Sequence, residues 1–90
     1  MLYTAKCYWP GVTADDLRDA CDRAHQQNHA NEGPVFRGLL YLPGDDTALS
    51  LFEAESAASV KQASEGKLGM PCERVIATVW VAPDFKGGTR

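Results

Sequence analysis

Two groups of residues in this 90-residue chain have types and spacings that suit chemistry. The first is Cys21, His25 and His29, each four positions after the last. Residues four apart are neighbours on a helix, so a thiolate and an imidazole could chelate a metal there. Such donors suit nickel, zinc or copper, and Cys21 with His25 is therefore a candidate metal site. The competing interpretation is structural, because small buried cysteines are common on the inward face of a helix.

The second group would form a small-molecule site on one face of a predicted sheet. Apolar pockets with a few convergent polar groups are the usual form of such sites. Lys6 and Arg37 could bind an anion or polarise a carbonyl. Tyrosine hydroxyls could take part in acid–base chemistry. The same residue types are also common in protein interfaces, so these side chains could be interface contacts alone. The candidate ligand-binding set is Lys6, Tyr8, Arg37, Tyr41, Ser50 and Trp80.

The elements that position both groups are predicted in the order β-α-β-β-α-β. Alternating and apolar runs predict strands over residues 2–9, 35–42, 47–54 and 74–82. Helices are predicted from residue 14 to about residue 28 and from residue 57 to about residue 68. This order indicates an α+β, ferredoxin-like domain over residues 1–82, with a loose tail over 83–90. A four-stranded antiparallel sheet would carry both helices on one face.

Local signals support the predicted helix ends. Thr13 is a strong N-cap candidate, and Asp16 stands three positions later, as in a capping box. Ser56 can cap the second helix in the same way. Gly69 suits the position just after that helix, and Pro71 would stop its continuation.

Pairing Leu42 with Thr47 in the hairpin sorts the strand residues into two faces. We expect the leucine set, which holds Leu40, Leu49 and Leu51, to lie beneath the helices. The other face would hold Tyr41, Ser50 and the remaining candidate ligand residues, together with Leu39, Phe52 and Ile76. That face is too apolar to be left in water, so a second protomer should cover it. Also expected beneath the helices are Ala5, Cys7, Trp9, Leu17, Ala20, Cys21 and Ala24.

Composition limits the class of protein. The net charge is −3 and the basic residues are scattered, which argues against a nucleic-acid partner. No apolar run is long enough to span a membrane, and the start of the chain lacks the pattern of a signal peptide, so we expect a cytoplasmic protein. Three cysteines, an odd number, fit reduced thiols better than a disulfide framework. No Ser-His-Asp pattern, Gly-rich phosphate loop or CxxC motif is present, and whether the chain is an enzyme stays open.

Three segments carry a resemblance to a known family. They are residues 8–13 with the following 15–17, residues 49–54 with Ser56, and residues 68–71 with 73–75. In this order they resemble a family of small ferredoxin-like domains of unknown function, common in actinobacteria, that includes a nickel-binding protein. The resemblance implies a ferredoxin-like protomer, often paired as a dimeric α/β barrel.

The resemblance also implies where a metal would bind. The nickel-binding relatives use histidines near the first strand and in both helices, and a cysteine in the third strand. The matching positions here hold Lys6 or Cys7, Cys21, Glu65 and Ser50, with Met70 in the turn after the second helix. Nearly every imidazole of that set is therefore absent.

Three functional hypotheses follow, in order of preference. The first is a cytoplasmic homodimer that binds a small ligand on the sheet face. The second is a protein that binds nickel or another transition metal, such as zinc, through Cys21 and His25. The third is a small cofactor-free enzyme of a biosynthetic pathway, of isomerase, cyclase or oxygenase type, which rests on analogy of fold alone.

Overall fold

The computed structural model describes residues 1–29, 33–67, 69 and 71–83. The elements occur in the predicted order: β1 (Leu2–Tyr8), α1 (Ala14–His29), β2 (Val35–Leu42), β3 (Thr47–Glu53), α2 (Ala57–Gln62) and β4 (Arg74–Thr78). The four strands form one antiparallel sheet in the order β2-β3-β1-β4. The predicted α+β, ferredoxin-like architecture is therefore confirmed.

A reciprocal pair of hydrogen bonds closes the start of α1. The Thr13 N–H donates to the Asp16 carboxylate at 3.0 Å, and the Asp16 N–H donates to the Thr13 hydroxyl oxygen at 3.0 Å. The first backbone N–H groups of a helix have no acceptor within the helix, and each of these two bonds supplies one. The predicted capping box is confirmed. Gly11, in the turn before it, has a φ of +78°, which a residue with a side chain rarely adopts.

The second helix changes type in its last turns. Ser56 caps α2, its hydroxyl accepting from the Ser59 N–H at 3.2 Å, as predicted. The α-helical part ends at Gln62, and the chain continues as a π-helix over Ala63–Lys67. Gly69 has the left-handed φ of +69° expected of a residue that ends a helix. Leu68 and Met70 lie outside the described residues.

The last strand is shorter than predicted, because β4 is an edge strand with β1 as its neighbour. Thr78 pairs with Leu2, the first residue of β1, so the sheet offers no partner beyond it. The chain then leaves the sheet with Val79, Trp80 and Val81 exposed by 76%, 67% and 67%. Of the predicted tail over 83–90, residues 84–90 lie outside the described residues.

A side chain protects part of β2, the other edge strand. The Phe36 N–H donates to Asn28 Oδ1 at 2.7 Å, and Asn28 Nδ2 donates to the Phe36 carbonyl at 2.8 Å. The Asn28 amide thus pairs with the edge as a neighbouring strand would. The same two bonds hold the end of α1 against the sheet.

Mostly small side chains form the core between the sheet and the helices. Alanines and a cysteine allow the helix backbones to lie close to the strands, and Phe52, which is 1% exposed, is the one large fully buried ring among the described residues. Its ring meets the Phe36 ring edge-on, with centroids 5.5 Å apart. The buried cluster consists of Ala5, Cys7, Ala20, Ala24, Ala48, Phe52 and Val60, with Trp9 and Leu17 packed against it.

The predicted hairpin register is confirmed, but the assignment of its two faces is wrong. Gly38, Leu40 and Leu42 pair with Leu51, Leu49 and Thr47, as expected. However, Leu40 is 55% and Leu42 41% exposed. The leucine set lies on the side of the sheet away from the helices.

The pairing of the hairpin with β1 decides which face the helices cover. Ala5 stands opposite Ser50, and Cys7 stands opposite Ala48. All four side chains are fully buried, and Ala5, Cys7 and Ala48 belong to the same buried cluster as Ala20 and Ala24 of α1. Because side chains alternate along a strand, the leucines of β2 and β3 must then lie on the opposite face.

None of the helices in the described ranges is both long enough and apolar enough to cross a membrane.

Candidate functional site

We call the side of the sheet away from the helices the open face. It carries the even-numbered residues of β1, of β4 and of β2 from Gly38 onward, and the odd-numbered residues of β3. Leucines dominate its centre, where Leu40 and Leu49 pair across the hairpin. Ile76 on β4 is 38% exposed and Tyr8 at the end of β1 is 51% exposed. Apolar side chains in this number are unusual on a face left in water.

A cavity of about 500 Å³ lies on the open face. Its size falls within the usual range of small-ligand sites, about 300–1,000 Å³. Two of the six predicted ligand residues, Arg37 and Trp80, line it. The rest of the lining consists of Leu2, Gly38, Leu39, Leu40, Leu51 and Glu53.

A β-bulge in β2 shapes this cavity. Phe36 pairs with Phe52 and Gly38 with Leu51, so Arg37 is the extra residue without a partner across the hairpin. A register continued without a bulge from the predicted Leu42–Thr47 pair would place Arg37 opposite Phe52, and the structure shows that this pairing is wrong. Gly38 has a φ of +146°, and the space where its Cβ would stand is open to 4 Å. The missing side chain leaves a notch in the leucine surface, and a glycine inside a strand is the sequence signal that could have predicted it.

Some charged groups of the open face have ion-pair partners and others do not. Glu53 Oε2 lies 3.4 Å from the N-terminal amine of Met1, and Lys6 Nζ lies 3.9 Å from Glu73 Oε1. Arg37 is exposed at the rim. Within the described part of the chain, its guanidinium has neither an ion pair nor a hydrogen bond.

Two further predicted ligand residues lie on the open face but outside this cavity. The Lys6 side chain is 43% exposed and points toward the β4 side, where it meets Glu73. Tyr8 stands near the far end of β1, opposite Thr47. The open face therefore brings together Arg37 and Trp80, and leaves Lys6 and Tyr8 apart from them.

The placement of Tyr41 and Ser50 on the open face is wrong. Ser50 is fully buried between the sheet and the helices, beside the Cys7 thiol. Tyr41 pairs with Ala48 and packs against the core cluster. Both residues belong to the helix-covered face because β1 presents Ala5 and Cys7 to that side.

The candidate metal residues lie on α1. Cys21 is half-buried and His25 is exposed, and the side chain of His29 lies outside the described residues. Desolvation by burial, followed by the nearby Asp22 carboxylate, raises the pKa of the Cys21 thiol, which disfavours the thiolate that a metal requires. Within the described ranges, no three His, Cys, Asp or Glu side chains are grouped as metal ligands. Metal binding through Cys21 and His25 stays a prediction.

Cys7 is the most protected thiol of the three. It is fully buried, its Sγ donates to the Ala5 carbonyl at 3.5 Å, and the Ser64 hydroxyl lies 3.9 Å away. Burial raises the pKa of Cys7 from 9.0 to about 11, although hydrogen bonding to Ser64 acts in the opposite direction. The thiol of Cys72 also interacts with it. All three cysteines are free.

We expect the burial of Cys7 to make the protein less stable at alkaline pH. The unfolded thiol ionises near its ordinary pKa of 9.0 and the folded thiol at about 11, so folding favours the neutral form. This stabilisation is complete below pH 9.0 and is lost as the pH rises through about 11. The loss should reach roughly 2–3 kcal/mol in the free energy of unfolding.

Urea denaturation across this pH range checks the expectation. As the pH rises, the free energy of unfolding of Cys7→Ala should fall less steeply than that of the natural protein. Cys21→Ala should show most of the fall seen in the natural protein. A fall of the same steepness in Cys7→Ala would assign the alkaline loss to other groups.

Comparisons with known proteins support the fold. No protein-family model and no curated protein matches the chain. Among solved structures, the chain is similar to SCO4226 from Streptomyces coelicolor A3(2), known from a crystal structure, with a TM-score of 0.72 and 20% sequence identity. The match covers 91% of this chain and 100% of that chain. At this level of identity the likeness establishes a shared ferredoxin-like fold.

Proposed function

We propose that the protein is a small-ligand-binding homodimer in which the open faces of two protomers meet around the Arg37–Trp80 cavity. The observation that carries this proposal is the exposure of large apolar side chains on the open face. Leu40 and Trp80 are 55% and 67% exposed in the single protomer, next to a cavity of about 500 Å³. Removing this apolar surface from water stabilises the complex that covers it by roughly 25 cal/mol per Å².

A second copy of the chain suits the open face in size. Four strands about 4.8 Å apart and roughly 24 Å long present a face of roughly 450 Å². Two such faces in contact bury on the order of 900–1,000 Å², near the lower limit of specific interfaces. The exposed segment from Val79 to Val81, which leaves the sheet beside this face, adds apolar area to the same contact.

The pairing of Lys6 with Glu73 suits a two-fold contact at the leucine centre of the open face. A two-fold axis brings the same patch of both protomers together, so like charges on that patch repel unless each is neutralised within its own protomer. Lys6 is already paired with Glu73. The leucine centre between β2 and β1 can therefore contact the same surface of the second protomer while the charge of Lys6 is neutralised within its own protomer.

Sedimentation velocity tests the dimer. At micromolar concentration we expect a species with twice the 9.8-kDa mass of the protomer. A protein that stays at the protomer mass up to tens of micromolar would contradict the dimer and leave the cavity open on one side.

A further inference from the structure

We infer that the cavity on the open face binds a small apolar acid: one carboxylate held by Arg37, joined to an uncharged hydrocarbon body that lies over Gly38 against the leucines and Trp80. This ligand class rests on the proposed function, because it presumes that the open face is a ligand site. It adds the chemistry of the ligand.

The anion-binding end follows from the position of Arg37. The β-bulge places this residue at the rim of the cavity, and the described residues supply no anion to its guanidinium. A guanidinium is planar and presents paired N–H donors that match the two oxygens of a carboxylate. A single cation suits a ligand with a single negative charge.

The body of the ligand follows from the rest of the lining. Leu2, Leu40 and Leu51 provide aliphatic surface, and the Trp80 indole provides a large flat one. The open space over Gly38 gives the body a place to enter the leucine surface. A hydrocarbon chain or ring gains most from such a lining, since burial of apolar area drives its binding.

The remaining charge at the cavity does not favour a cationic ligand. Glu53, the acidic residue of the lining, already lies 3.4 Å from an ammonium group. A ligand amine would have to displace that group, whereas a ligand carboxylate meets a guanidinium to which the described residues offer no partner. Charge complementarity thus selects an acid over an amine.

Isothermal titration calorimetry with 4-phenylbutanoate and 4-phenylbutanamide tests the inference. The two probes share the apolar body and differ in charge. We expect the acid to bind about 10- to 100-fold more tightly than the amide, the usual effect of one charge-assisted contact. Arg37→Gln should bring the affinity for the acid down to that for the amide and leave the amide unchanged.

Arg74→Gln is the matched control, because Arg74 is an exposed arginine of the open face that does not line the cavity. It should keep the natural preference for the acid. Quenching of Trp80 fluorescence in a Trp9→Phe background should report the same affinities from inside the cavity.

Sedimentation of the same samples distinguishes a failure of the inferred ligand class from a failure of the proposed dimer. Equal binding of acid and amide, unaffected by Arg37→Gln, overturns the ligand class but still supports a ligand site on the open face. Failure of a dimeric protein to bind either probe overturns both the ligand class and the ligand part of the proposed function. Arg37-dependent binding of the acid by a monomer supports the ligand class and overturns the dimer.

Discussion

Leu40→Lys is expected to convert the dimer into a folded monomer. In the single protomer Leu40 is 55% exposed, so a lysine there can extend its ammonium group into water at little cost. In the dimer the same ammonium would be buried against leucines with no anion beside it. An unpaired buried charge costs several kcal/mol, and the two-fold axis introduces it twice, so the dissociation constant should rise by at least about 100-fold.

Sedimentation velocity and circular dichroism together measure this effect. The variant should sediment at the protomer mass and keep the spectrum and cooperative melting of a folded α+β protein. Ala58→Lys is the matched control, since Ala58 is exposed on α2, on the other side of the sheet, and the variant should remain dimeric. An unchanged dissociation constant in Leu40→Lys would place any dimer contact on another surface.

Phe52→Ala is expected to destabilise the protein far more than Leu51→Ala, although the two residues are neighbours on β3. Phe52 is 1% exposed and packs edge-on against Phe36 between the sheet and the helices. Removing such a ring costs about 3–5 kcal/mol, a large share of the roughly 5–15 kcal/mol that stabilises a typical domain. Leu51 faces the open side, and its truncation in a monomer should cost less than about 1.5 kcal/mol.

The comparison is cleanest in the Leu40→Lys background, where no second protomer covers Leu51. Guanidinium denaturation gives the free energy of unfolding of each variant. If Leu51→Ala were the more destabilising change, the leucine face would have to lie beneath the helices. That result would also remove the apolar surface on which the proposed dimer depends.

Local signals predicted the elements well because each acts within a few residues. Thr13 and Asp16 cap α1 through bonds spanning three positions, and Ser56 caps α2 in the same manner. The hairpin register from Gly38 to Leu42 also followed from a short turn and matching strands. Such interactions can be recognised without knowing what lies across the sheet.

The candidate site was only partly predictable, because its composition depends on pairings between distant strands. Arg37 and Trp80, both predicted as ligand residues of the sheet face, line the cavity. The expectation that the most aliphatic face lies under the helices predicts Tyr41 and Ser50 on the open face as well. That reasoning fails where a protein has a second apolar face, and here the more aliphatic of the two is the open one.

The sequence by itself determined the order of elements, the helix caps, the hairpin register and the ferredoxin-like architecture, since these follow from local periodicity and turn chemistry. The tertiary structure decided which face the helices cover. It did so through one long-range pairing, in which Ala5 and Cys7 of β1 lie beside Ser50 and Ala48 of β3. These small buried side chains let the helices lie close to the sheet on that face, so the leucines, with the cavity among them, are left on the other.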